Sequence, residues 1–292
     1  MGFSILSTDR GEPLAGGWGP RAWPLWSAVA TLVLCLPLMA PAAFADDPLE
    51  RGRALAQSVY DRPEGTDVSS FGRMVLVESG REPRVREMYS YRRDRGDGNV
   101  ANLIRFTAPS DIADTGLLTL DHADGASDQW VFLPALGTSR RIPTARRGGR
   151  FVGSDLFFED IQDRKVELDT HRWLRSEALE GVPTEVLESV PVNPGNSVYG
   201  RRVSWIHLDT LIPLRIDFYR PGADEPFKRH SVYRVEQIQG YWTVMDSVMA
   251  DLKSGHQTRL VNDRTVYDRD LPDALFSTRA LTDPALEQPW RP

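Results

Sequence analysis

A long series of short, alternating apolar segments separated by hairpin-length turns constrains this chain more than any other feature. Leu214, Ile216 and Phe218 against Arg215 and Asp217 have the period of two that sends alternate side chains to opposite faces of a strand. Gly96-Asp97-Gly98-Asn99 and Ala123-Asp124-Gly125 are turn signals between such runs. Strand-like runs occupy 71–77, 85–91, 103–106, 117–120, 130–133, 166–174, 184–192, 201–208, 214–219, 230–237, 241–249 and 257–266. They predict a mainly β protein, a single curled antiparallel sheet of about eleven strands with no βαβ pattern. Helices are expected at 46–60, where Asp47 caps and Pro48 suits the first turn, near 109–113, and around 155–161. Twist accumulates across so many strands, so the sheet either closes into a barrel or wraps round something, and the few helical segments are candidates for partly filling a half-open barrel. An incompletely filled apolar concavity of that kind is a lipid-binding architecture.

Composition narrows the function. The net charge of −6 repels polyphosphates, so nucleic acid is not an expected partner. The apolar run 25–39, preceded by Arg21 and followed by Ala43 and Ala45 in an A-x-A arrangement, has the layout of a secretory signal peptide cleaved near Ala45. Leu34 before the single cysteine, Cys35, does not fit a lipoprotein signal, so the exported chain is expected to be unlipidated. No Pro/Ser-rich linker interrupts 46–292, which is read as one domain.

No catalytic motif is visible. There is no G-x-S-x-G elbow, P-loop, dinucleotide fingerprint or H-E-x-x-H, and the five histidines are scattered. No enzyme activity, metal or cofactor is expected. Asp121, Asp124 and Asp128 fail the EF-hand spacing and read as a turn. Asp155 reads as the cap of the short helix that follows it. Arg140, Arg141, Arg146, Arg147 and Arg150 form a basic loop in an acidic chain, suited to docking an acidic partner or anionic headgroups. Trp130, Phe132, Phe157, Phe158, Trp205, Phe218 and Trp242 are the aromatic candidates for lining or gating an apolar cavity.

The segments Asp128-Gln129-Trp130-Val131-Phe132-Leu133-Pro134-Ala135-Leu136 and Gly153-Ser154-Asp155 through Glu159-Asp160-Ile161 resemble the outer-membrane lipoprotein-sorting, LolA-like family. The similarity is greatest to the branch associated with resistance-nodulation-division type exporters. The resemblance implies an open β half-barrel in the periplasm that binds lipid or lipoprotein acyl chains, handing them between membrane partners, an exporter among them. A lipoprotein-sensing module that regulates a membrane partner without transport is the alternative.

Overall fold

The computed structural model describes residues 47–292. The expected signal peptide, its cleavage point and Cys35 lie outside the described residues.

Helix α1 (Pro48–Tyr60) starts where the Asp47 carboxylate accepts the Leu49 amide at 3.0 Å. The strands follow as β1 (Asp67–Val77), β2 (Arg84–Asp94), β3 (Val100–Ala108), β4 (Gly116–Asp121), β5 (Ser127–Leu133) and β6 (Thr138–Arg141). After a long connection come β7 (Asp169–Leu179), β8 (Val182–Pro191), β9 (Arg201–His207), β10 (Ile212–Tyr219), β11 (Pro226–Ile238), β12 (Tyr241–Asp251) and β13 (Gln257–Tyr267). All thirteen form one open antiparallel sheet in the order 6-5-4-3-2-1-13-12-11-10-9-8-7. Sequence-adjacent strands pair except β6 and β7, which form the two free edges, and the one non-sequential seam among the described strands is β1 with β13.

Each of the twelve strand-like runs overlaps a strand, and the thirteenth, β6, was not anticipated for a physical reason. Strand β6 (Thr-Ser-Arg-Arg) is short, mostly exposed and on the sheet edge, so it carries no apolar alternation. Arg140 and Arg141 are therefore strand residues rather than loop residues. The helices expected at 109–113 and 155–161 do not form. The first is a single turn in which the Ile112 and Ala113 amides reach the Pro109 carbonyl. The second is two short 3-10 turns, Phe151–Gly153 and Phe158–Ile161.

Both faces of the sheet are covered. The connection 142–168 runs from edge strand β6 to edge strand β7 and packs on the inner face, where Phe151 meets Met74, Leu76, Phe106 and Leu117. Helix α1 packs on the inner face at the β7 end, with Ala56 against Leu187 and Ile206. Gly52 makes that approach possible, because a Cβ there would lie 2.5 Å from the Trp173 amide nitrogen. On the outer face the C-terminal segment 269–292, with helix α2 (Thr278–Thr282), covers Tyr91, Leu103, Leu118 and Phe132. Arg105 fastens this strap. It is fully buried and donates to Glu287 Oε2 at 3.2 Å and to the Ala280 and Leu281 carbonyls.

Candidate functional site: a partly filled inner face

The inner connection behaves as a plug held by three carboxylates. Asp155 Oδ2 accepts from Thr258 Oγ1 at 2.8 Å and faces His256 Nδ1 at 2.5 Å, fixing one end to β13. It caps nothing. The turn at Phe158–Ile161 is capped instead by Asp160, whose carboxylate accepts the Phe157 amide at 2.6 Å. Glu159 accepts from the Val198 amide at 2.7 Å and from Ser197. Asp160 also receives Tyr199 Oη at 2.6 Å and pairs with Lys228 on β11.

Lys228 is buried among rings, 3.8 Å from the centroid of Phe157 and 5.3 Å from those of Tyr199 and Phe218. Burial lowers its pKa from the ordinary lysine value, with the Asp160 charge opposing. Its neighbour on the same strand face, His230, is pushed down to about 4 by burial. The centre of the inner face is thus a closed aromatic and ionic lock.

Beyond the lock the inner face is not filled. Between α1, the end of the plug and strands β7–β10 lies a cavity of about 380 Å³. Ala56, Val59, Val166, Leu187, Ile206 and Ile216 supply apolar wall. One end is polar. Arg164 closes a bidentate pair with Asp169, both bonds 2.8 Å, and spends its other donors on Leu168 O and on Asn196. Arg202 reaches the same Asp169 from β9. Burial would raise the Asp169 pKa, but the two guanidinium groups bring it below the ordinary carboxylate value. His171 sits with Nε2 2.9 Å from Val166 O and Nδ1 2.9 Å from Ser189 Oγ, and burial keeps it below its usual pKa. Both ring nitrogens are thus engaged within the protein.

A second, polar cavity of about 570 Å³ adjoins the other side of the α1 C-terminus, lined by Arg62, Glu64, Arg92, Asp94 and Asp163. Lys165 separates the two. Its Nζ donates to Tyr60 Oη and Asp163 Oδ2, both at 2.6 Å, tying α1 to the plug.

The structure divides the seven aromatic candidates. Phe157 and Phe158 belong to the plug, and Phe218 faces it from β10. Trp130 and Phe132 point the other way, into the cluster beneath the strap. Trp205 packs on the outer face with Val186, Val203 and Tyr219, where Arg215 stacks over its ring at 4.3 Å. Trp242 is half-buried on β12 and joins none of the packed clusters. Four of the seven therefore do not line the inner face. Strand alternation does not reveal which face is inward when both are covered.

The basic set is divided too. Arg141 pairs with Asp128, Arg150 reaches Asp251 at 2.8 Å and Asp155 at 3.4 Å, and Arg147 donates to the Thr144 and Asn196 carbonyls. Arg140 and Arg146 are exposed, with no ion pair among the described residues. None of the seven aromatic candidates lines this cavity, and its residues Arg202, Ile206 and Ile216 were not among the cavity candidates read from the sequence. Their one signal was a shared strand face, Arg202–Ser204–Ile206 beside Ile216–Phe218.

The open antiparallel sheet is a LolA-like fold. An outer membrane lipoprotein-sorting protein domain from Vibrio parahaemolyticus superposes with a TM-score of 0.76 at 28% identity, covering 80% of this chain and 99% of that one. A LolA superfamily protein from Nitrosomonas europaea superposes with a TM-score of 0.60 at 19% identity, covering 77% and 97%. It shares the fold. A DUF1329 family protein from Desulfovibrio piger superposes with a TM-score of 0.77 at 30% identity, covering 80% and 99%. The chain belongs to that family. A family model described as an uncharacterized protein matches residues 98–283. No curated protein matches the chain in sequence.

Proposed function

We propose that this protein is a periplasmic lipid or lipoprotein carrier that shelters acyl chain on the inner face of its sheet. The observation that carries the reading is the cavity of about 380 Å³, part apolar and part polar, between α1, the plug and β7–β10. It lies within the range of small-molecule sites, roughly 300–1,000 Å³. The similarity to a lipoprotein-sorting domain supports the same reading. Each buried methylene contributes about 0.8 kcal/mol, enough to hold a chain of ordinary length without any covalent step. The exposed Arg140 and Arg146 are assigned the docking contact with an anionic membrane surface or partner. An inner-membrane exporter of the resistance-nodulation-division type is the partner inferred from the family resemblance.

The test is native mass spectrometry of the protein purified from its own periplasm, followed by extraction of whatever is bound. A stoichiometric acyl lipid is expected. Ile216→Trp, which fills the cavity with a larger apolar side chain, should abolish it while circular dichroism stays unchanged. A bare protein that takes up no offered lipid would sink the carrier reading. Arg140→Glu with Arg146→Glu should weaken membrane docking and leave lipid retention intact.

A further inference from the structure

The polar end of the inner cavity carries unused hydrogen-bond donors. Arg202 lines the cavity and makes one hydrogen bond, from Nη2 to Asp169. A guanidinium has five N–H donors, and here Nε and Nη1 have no partner among the described residues. Arg164 beside it is fully engaged and shares the same carboxylate. Glu159, 3.9 Å from Arg164, accepts from Ser197 and Val198 and adds a second carboxylate to the cluster, so the free groups on Arg202 are donors rather than an excess of charge. Ser204, two residues along β9 on the same face, also lines the cavity, and its hydroxyl has no partner among the described residues. Arg202 thus keeps donors free beside Asp169, in a pocket that also presents the aliphatic side chains of Ala56, Val59, Leu187, Ile206 and Ile216.

That arrangement selects a ligand. We propose that the cavity takes a single-chain amphiphile with an anionic head, a carboxylate or a phosphate, whose oxygens accept from Arg202 while its chain lies against Ala56, Val59, Leu187, Ile206 and Ile216. A planar guanidinium fork matches either oxyanion, and charge-assisted bonds of this kind are about twice as strong as neutral ones. Volume agrees with one chain. At about 30 Å³ per water-sized group, 380 Å³ holds on the order of a dozen heavy atoms. Several acyl chains together require the plug to move. The inference rests on the carrier reading and specifies its cargo.

Isothermal titration of the delipidated full chain with dodecanoate, dodecyl phosphate and dodecanol separates the two. Both anions should bind at least about tenfold more tightly than the alcohol, and the tighter of the two identifies the head. Arg202→Met should bring all three within about twofold of one another while dodecanol binding is unchanged, and Arg202→Lys should keep part of the preference. Lys253→Gln, an exposed charge on the turn after β12, should leave the preference intact. Equal binding of anion and alcohol to the unaltered protein overturns the headgroup assignment and leaves the carrier reading standing. So does a preference that survives Arg202→Met. If no compound binds, dodecanol included, the carrier reading falls with it. The comparison among ligands needs no variant, so a poorly folding Arg202→Met does not rescue the proposal.

Discussion

Lys228 and Asp160 form a fully buried ion pair, with side chains 2% and 6% exposed. Removing one partner of such a pair leaves an uncompensated charge and costs about 3–5 kcal/mol. Lys228→Ala should therefore lower the urea midpoint sharply, while Lys228→Met combined with Asp160→Asn should recover much of the loss. Its neighbour His230 gives the chain a pH dependence. Its folded pKa of about 4 lies below the usual 6.5, so the unfolded state binds more protons between those values. Stability should be intact above about pH 6.5 and fall as pH drops toward 4, by on the order of 3 kcal/mol. His230→Leu should flatten that slope in urea titrations at pH 4.5 and 7. At this scale the sequence was legible in part. The Gly-Ser-Asp to Glu-Asp-Ile segment was correctly singled out, but spacing alone made Asp155 a helix cap. Its real partners, His256 and Thr258, lie about a hundred residues away and enter only through the fold.

Two elements, the plug and the strap, account for most of what strand periodicity could not show. Strand β4 reads as the unbroken apolar run Leu117-Leu118 because Leu117 meets the plug and Leu118 meets the strap. A strand covered on both faces loses its alternation, so its inward side cannot be read from pattern. The same cover explains why Trp130 and Phe132 looked like cavity residues. The strap depends on Arg105, whose only carboxylate partner among the described residues is Glu287. Glu287→Ala should loosen the C-terminal segment. Limited proteolysis should then cut within 269–292 faster than in the unaltered protein, with β1–β3 remaining resistant. Equal cutting rates would show that the apolar contacts of Leu271, Leu275, Phe276 and Leu281 suffice to hold it.

For the molecule as a whole, the hairpin turns made the antiparallel meander readable, and the open sheet follows from it. The seam did not. Strands β1 and β13 pair across nearly the whole described chain, a closure that no local pattern announces. Two hairpin arrays, β1–β6 and β7–β13, are joined there, and non-local closure is the slow and costly part of such a topology. Hydrogen exchange should show the amides of the β1–β13 seam opening only with global unfolding, while those of the plug and of edge strand β7 exchange through local openings. A bound amphiphile should slow exchange in 156–168 and leave the seam unchanged.

The plug also has a mechanical meaning. It is the one piece of chain that ties the two free edges of the sheet together, from β6 to β7, as a string ties the ends of a bow. Drawing that string out of the hollow to admit a larger cargo cannot leave the bow's curvature unchanged. Loading and flexing are then a single motion, and a partner that grips either limb of the sheet holds a lever on what the hollow contains.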